Sequence, residues 1–426
     1  MHRTYLTLDA SEFADSQPSL GAHNGWNAVL LFASLALLMF AVLAFGATEE
    51  WSIFVFRTGS ISLLTLWITA KAASGQISLR HNPVYFPAGV FLIIATAQSL
   101  FGATAYRYAT TSELLDYIAY AALLFVVSQS IRDDRDCATF LYVLTVFGFC
   151  LAVFALLQGL TSKDKIYWLL KPAEGGWIYG PYVNKNHYAG LMEMLAPIPV
   201  VTALVRRTTA QRVLLVFAGV VMATTVITSQ SRAGMLAFAI EIGVLAIFAF
   251  RRNKGPQFAI AAAVALLALA ALLSWLGGLQ LFERFLELQD ASRSSILRDS
   301  IAMVRQEPFW GWGLGTFPLV YPQFRSFYTN LFVNAAHNDV LQLLIETGFV
   351  GLSVATWFVV ATFRKAVDKL NYWSGSYRDC LTLSATVGCT GLLVHSFFDF
   401  NLHIPANAAF FYVLCSLAAA RFESRP

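Results

Sequence analysis

Residues 26–46 read WNAVLLFASLALLMFAVLAFG, 21 positions without one charged side chain. A bilayer core is about 30 Å thick, so a helix needs roughly 20 apolar residues to cross it. This run has that length. Comparable runs follow at 52–72, 86–103, 112–131, 138–159, 188–205, 212–229, 233–250, 257–278, 340–362, 380–398 and 404–420. They predict an all-α, polytopic membrane protein with about twelve transmembrane helices. Composition agrees: of 426 residues, 57% are hydrophobic and 13% charged, with a mean hydropathy of +0.61. A soluble domain carries about 25% charged residues. So few charges cannot cover a water-facing surface. A set of soluble domains, a disordered chain, a disulfide scaffold and a nucleic-acid binder are excluded. Residues 1–426 read as a single integral membrane domain.

The run at 188–205 contains Glu193, Pro197 and Pro199. Prolines and an acid at membrane depth predict a helix that faces a cavity rather than lipid. The first 25 residues are polar, and the run after them exceeds the about 7–15 apolar residues of a signal peptide. A retained anchor is expected. Orientation follows from Lys and Arg in short loops. With both termini in the cytoplasm, 17 of the 29 basic residues lie inside, 11 lie outside, and Arg57 falls within a span. The five cysteines all fall in spans or at cytoplasmic ends, so no disulfide is expected.

The outside charges cluster in two loops. One covers about 160–187 and runs into GPYVNKNHYAG, Gly180 to Gly190. The other covers 279–339, a long periplasmic loop that reads as helical. FERFLEL (282–288) is a short amphipathic piece, and a helix is expected from Ser294 to just before Pro308. Leu297, Ile301 and Val304 recur there at helical spacing and give one apolar stripe for the membrane surface or the bundle. Then come the glycine-rich turn GWGLGTF (Gly311 to Phe317) and AAHNDVLQLL (Ala335 to Leu344), which leads into the next span.

These segments resemble the O-antigen ligase and Wzy-type polymerase (Wzy_C) superfamily, and O-antigen ligases most. The resemblance lies in NKNHYAG (184–190), SQSRAG (229–234), SR…ILR…PFWGWGLGTF (292–317) and HNDVLQLLIETGFVG (337–351). HSFFDFNLHIPAN (395–407) is similar to a subgroup of that family. Where relatives often have Trp before the second arginine, this chain has Leu297. The resemblance implies a GT-C-like glycosyltransferase in the bacterial inner membrane, with its active site facing the periplasm. Such enzymes move a glycan from an undecaprenyl diphosphate carrier to an acceptor, here lipid A–core, without nucleotide sugar, metal or other cofactor. The implied partners are therefore the lipid-linked glycan, the lipid A–core acceptor and membrane lipid.

Such a donor needs cationic groups at the membrane boundary. The planar fork of arginine suits phosphate oxygens. Charge grows on the leaving diphosphate as the sugar–phosphate bond breaks, so fixed cations stabilise the transition state more than the ground state. Arg232 and Arg293 are the first candidates, with Arg298 and Lys185 next. Headgroup binding or surface pairing is the bland account of any one of them, and it fits Arg232 least, because that residue sits in a very short turn.

The acceptor hydroxyl must lose a proton. His337 stands just before a membrane helix on the outside, where the positive helix end disfavours imidazolium and leaves a ring able to accept a proton. From the residues alone a structural histidine is the better account; the motif reverses that in favour of a general base. Asn338 and Asp339 read as helix-capping and orienting residues, with Asn338 near enough to touch substrate. Asn184, Asn186 and His187 are candidate glycan or diphosphate contacts. Asp399, Asn401 and His403 fall in the last outside turn, where they either act or tie helix ends together. With one base and no paired nucleophile, a single inverting displacement is expected.

Two patterns mislead. Asp134-Arg135-Asp136 spells a metal-binding DxD, but it sits among charges in a short cytoplasmic loop and reads as a linker. GWGLGTF has no GKS or GKT ending and no strand before it, so it is not a nucleotide loop. A polymerase acting on the same lipid-linked chain shares every motif and differs in acceptor. A transporter would concentrate polar residues at the midplane, in broken helices, whereas here they lie in two outside loops. The charge asymmetry makes one direct prediction: a topology reporter fused after Pro426 should read cytoplasmic, and a periplasmic reading would overturn the orientation.

Overall fold

The computed structural model describes residues 20–75, 79–162, 164–172, 178–206, 208–252, 291–329 and 332–422; within these, the side chains of 20–24 and 291–293 are not described. Every extended element among them is a helix: α1 (Leu20–Leu43), α2 (Glu50–Ala73), α3 (Tyr85–Leu100), α4 (Arg107–Ser130), α5 (Asp134–Thr161), α6 (Lys185–Leu195), α7 (Pro197–Ala203), α8 (Thr209–Thr228), α9 (Arg232–Arg251), α10 (Ala291–Gln306), α11 (Asp339–Asn371), α12 (Tyr377–His395) and α13 (Pro405–Ala419). Seven of them, α1, α2, α4, α5, α8, α9 and α11, are long and apolar enough to cross a membrane. The shorter α3 and α13 are also apolar. The expected span at 188–205 is two helices, α6 and α7, divided at Ala196 just before Pro197. Proline has no amide hydrogen to continue the helical ladder. The expected span 257–278 and the piece 282–288 lie outside the described residues.

Helix α12 has 19 residues but fails the length-and-apolarity criterion, because it carries Arg378, Asp379 and several hydroxyls. It needs less apolarity than the others. Protein surrounds it: α6, α7, α9 and α13 all pack against it, and 13 of its residues are buried. The peripheral α2 leaves Phe54, Leu66 and Ile68 exposed, as a lipid-facing helix does. Arg57 of α2, expected to lie within a span, donates from Nε and Nη2 to the two oxygens of Asp116 on α4, each at 2.6 Å. A bidentate pair of this kind lets both charges stay at membrane depth.

The DxD pattern is a helix start. Asp133 caps α5 by accepting from the Arg135 and Asp136 amides at 2.9 and 3.0 Å, and Asp134 accepts from the Arg378 amide at 3.0 Å. In the outer loop, α10 begins three residues earlier than expected, at Ala291. Its buried face is Ile296, Ser300 and Met303, while Leu297 and Ile301 of the expected stripe are exposed. A small core of Ile296, Met303, Phe317, Val320, Tyr321, Ala336 and Ile345 holds this layer together. Asp299 ties it further, accepting from Tyr321 Oη and the Ser326 amide at 3.0 Å each.

The loop is fastened to the bundle by backbone. Gly348 interrupts α11 with φ 63° and ψ −171°. The helical ladder is broken there, and residues 308–313 lie along the opened backbone. Trp312 and Gly313 donate to the Ile345 and Glu346 carbonyls at 2.9 and 2.8 Å, and Phe349 donates to Pro308 at 2.8 Å. Gln98 of α3 closes the junction from beneath, donating to the Trp310 carbonyl at 2.5 Å and the Glu346 carbonyl at 3.1 Å. The amides of Trp312, Gly313, Thr316 and Phe317 in GWGLGTF thus already have partners within the protein. A Cβ at Gly348 would overlap the Phe309 carbonyl. Left-handed strain adds to that overlap, so Gly348→Ala should cost on the order of 2 kcal/mol or more. A thermal melt of the purified protein should show the loss, and an unchanged melting temperature would contradict this account of the kink.

Candidate active site

The outer end of α12 runs into a turn, Ser396–Ile404, that leads to α13. Asp339, the first residue of α11, grips this turn. Its amide donates to the Ser396 carbonyl at 2.8 Å and to the Asp399 carbonyl at 3.2 Å. Its carboxylate accepts from Ser396 Oγ at 2.8 Å, the Leu402 amide at 3.0 Å and His403 Nδ1 at 2.7 Å. Asn338 caps α11, accepting from the Leu341 amide at 2.9 Å, and its Nδ2 donates to the Phe397 carbonyl at 3.0 Å. The capping and orienting roles expected of both residues are therefore met.

His337 precedes that cap with φ 52°, a left-handed backbone that few non-glycine residues adopt. The conformation sets its ring against the turn. His337 Nδ1 lies 3.6 Å from Asp399 Oδ1, just beyond hydrogen-bond length. The Asp399 side chain is 1% exposed and that of His337 29%. Asp399 also accepts from the Phe400 amide at 2.9 Å and from Asn186 Nδ2. Burial alone would raise the Asp399 carboxyl, but the imidazoles of His337, His187 and His395 close by outweigh it and hold the group well below the usual carboxylate range. The Asp399 carboxylate faces the Nδ1 side of the His337 ring. The Phe400 ring separates two imidazoles, 5.2 Å from His337 and 4.7 Å from His187 between centroids, both near edge-on.

The loop-one residues join the same place in unequal ways. Asn184 caps α6, accepting from the Asn186 amide at 2.9 Å, and its Nδ2 lies 3.4 Å from His187 Nε2. Asn186 reaches Asp399. His187 is buried, and its carbonyl accepts from Asn407 of α13 at 2.8 Å. Asn407 in turn donates to Asn401 at 3.0 Å and accepts from Tyr182 Oη at 2.8 Å. Asn184 and Asn186 therefore build the site from within, and His187 is a wall of it. Lys185 begins α6 at the same end.

Residues 217–356 match the family model Wzy_C, O-antigen ligase. This segment is similar to the O-antigen ligase family. The match agrees with the resemblance that the motifs carry. No curated protein matches the chain. The matched segment begins within α8, takes in α9, α10 and His337, and stops within α11. It excludes the two pieces that complete the site, 184–187 and 395–407.

Within the matched segment, Arg232 is the first residue of α9, directly after the cap Ser231, whose side chain accepts from the Gly234 amide at 3.2 Å. Gly234 packs against Ala189 and Glu193 of α6. The start of α9 thus stands beside the helix that carries Asn186 and His187. Arg298 is exposed on α10. Arg293 lies in the first turn of α10, and its side chain is outside the described residues. The geometry therefore joins His337, Asn184, Asn186, His187 and Asn338, and puts Arg232 and Lys185 at helix starts on the same side.

Below the turn lies an apolar cavity of about 370 Å³ between α3, α4, α11, α12 and α13, walled by Phe91, Tyr117, Leu343, Phe358 and Tyr412. Asp339 and Ser396 line it as well. The site and the apolar space share a wall.

Sequence reading did not assign Asp399 as the partner of His337, nor His403 as that of Asp339. The one signal was the cluster of polar residues in HSFFDFNLH. Burial disfavours the charged form of His403, but its hydrogen bond and charge interaction with Asp339, with Glu346 and Glu113 behind, raise it to about 9. A raised histidine stabilises the fold fully below its unfolded value of about 6.5 and loses that contribution as pH rises through its folded value. Thermal stability should therefore fall by on the order of 1–3 kcal/mol between pH 6.5 and about 9. His403→Gln should be less stable at pH 6 and flat over that window; a slope equal to the wild type's would rule out this pair as its source.

Proposed function

We propose that this protein is a periplasmic-face glycosyltransferase, an O-antigen ligase that moves a glycan from undecaprenyl diphosphate to lipid A–core in lipopolysaccharide biosynthesis. The reading includes twelve crossings of the inner membrane in a GT-C-like arrangement, with both termini cytoplasmic. The observation that carries it is His337, partly open, with buried Asp399 behind its Nδ1 and an apolar cavity against the same turn. A polyprenyl tail suits that cavity, which is lined almost wholly by apolar groups.

In the proposed reaction, Nε2 of His337 removes the proton from the acceptor hydroxyl. The oxygen attacks the anomeric carbon from the face opposite the diphosphate, the carbon–oxygen bond to phosphate breaks, and configuration inverts. Asp399 stabilises the imidazolium that forms. Negative charge collects on undecaprenyl diphosphate, where Arg232, Arg293, Arg298 and Lys185 meet it. Four cationic side chains make a divalent metal unnecessary for that neutralisation. The remaining proton on His337 returns to solvent or to the departing diphosphate. A polymerase of the same family would share these steps and present a sugar hydroxyl of a second lipid-linked chain.

Transfer by purified protein, from a defined lipid-linked glycan to lipid A–core or to a second lipid-linked chain, separates ligase from polymerase. His337→Ala should insert normally and lose roughly 10²–10⁴-fold in turnover, the usual contribution of a general base. Asp399→Asn should lose much of that activity with little change in KM, because it removes the charge behind the base. Near-normal turnover in a correctly inserted His337→Ala protein would sink the assignment.

A further inference from the structure

Three ionisable side chains lie deeper in the bundle. Glu193 of α6 and His395 of α12 are fully buried, and Glu241 of α9 is 1% exposed. His395 Nδ1 is 2.7 Å from Glu193 Oε1. The other polar atoms, Glu193 Oε2, His395 Nε2 and both oxygens of Glu241, have no hydrogen-bond partner within the protein. Glycines make the space. A Cβ on Gly391, one turn before His395, would run into the Glu241 carboxylate, and one on Gly234 would come 3.1 Å from Glu193 Oε1. Glu241 is the tenth residue of the 20-residue α9, so it sits near mid-membrane.

The charges around the trio do not balance if every group ionises. Glu193, Asp399 and Asp339 act on His395, and His187 lies close as a further imidazole. Glu193 and the thiol of Cys389 are the groups that interact with Glu241. One imidazolium can neutralise Glu193. No described cation remains for Glu241, and a bare carboxylate at this depth is strongly disfavoured against the neutral acid.

The trio also stands at the foot of the catalytic turn. Asn186, Gly190 and Glu193 follow one face of α6 at helical spacing. In order they meet Asp399, Asn401 and His395. The His395 carbonyl accepts from the Phe398 and Asp399 amides at 2.8 and 3.1 Å, so a shift of His395 moves Asp399.

We propose that Glu193, His395 and Glu241 form a proton-binding site inside the membrane, with the proton on Glu241 beside a Glu193–His395 ion pair, and that this site sets the register of α6 against the Asp399 turn. The second half rests on the reading of His337 and Asp399 as catalytic. Loss of the Glu241 proton puts a second negative charge against Glu193, separates the helices and loosens the contact of Asn186 with Asp399. Glu193, His395 and Glu241 are positioning residues in this scheme and do not touch substrate.

Infrared spectroscopy of the purified protein in lipid nanodiscs tests the proton directly. At pH 7 the wild type should show a carboxylic-acid carbonyl band that shifts in D₂O and is missing from Glu241→Gln. A Glu193→Gln variant should move that band, because the neighbouring charge is gone, and this arm stands if Glu241→Gln fails to insert. No band difference at Glu241→Gln, or an unmoved band in Glu193→Gln, overturns the proton site. The pH profile of transfer tests the coupling. Wild-type turnover should fall on the alkaline side, and Glu241→Gln, neutral at every pH, should move that fall upward by at least one pH unit with acceptor KM unchanged. Superimposable profiles would overturn the link to the turn. The infrared arms need no transfer, so they decide the proton site even if the transferase reading fails, and an ionised Glu241 in a working transferase defeats only this proposal.

Discussion

The carboxylate of Asp339 holds together three parts of the chain that have no covalent reason to meet. It belongs to α11, accepts from Ser396 at the end of α12, and accepts from Leu402 and His403 on the way to α13. Its amide binds the same turn from the other side. Each bond is ordinary, contributing about 1 kcal/mol, or somewhat more where a charge takes part. Their convergence on one buried group is what makes the arrangement specific. Remove the carboxylate and the turn loses a clamp at both ends, the α11 cap loses its reference, and His337 no longer faces Asp399.

Around that clamp the outer end of the bundle is organised as paired opposites. Asp339 faces His403, Asp399 faces His337, and Glu193 faces His395 a few turns below. Such pairs are weak sources of stability, because each ion gives up water to be there. They are good sources of direction. A carboxylate on one ring nitrogen decides what the other nitrogen can do, and His337 is the most exposed of the three, at 29% against 21% for His403 and 0% for His395. The apolar surroundings strengthen each interaction, and the phenyl ring of Phe400 keeps neighbouring imidazoles apart.

Much of this was legible in the sequence. Runs such as 26–46 fix the helices because bilayer thickness is a hard constraint. His337 was legible because a polar HND triplet opens an apolar helix. What escaped depends on helices meeting, and spacing along the chain does not encode that. Asp399 is 62 positions from His337, and Glu193 is 202 from His395. Polar residues in the 395–407 segment announced that something happens there, without naming partners. The buried face of α10 was misplaced by one residue because Leu297 and Ile296 are equally apolar, and only the packing against Phe317 and Tyr321 chooses between them. The low apolarity of α12 is a similar lesson. Thirteen of its 19 residues are buried against other helices, where apolarity is not required.

The break at Gly348 has a consequence for which positions of the chain are free to vary. The outer layer is hung on α11 through main-chain groups: the amides of Trp312, Gly313 and Phe349 and the carbonyls that receive them. Main-chain bonds do not ask which side chain is present. The side chains of Phe309 and Trp310, both largely exposed, ride on this anchorage without being needed for it. Side chains in this stretch can therefore change while the attachment stays constant, and the glycine that permits it is the residue least free to change.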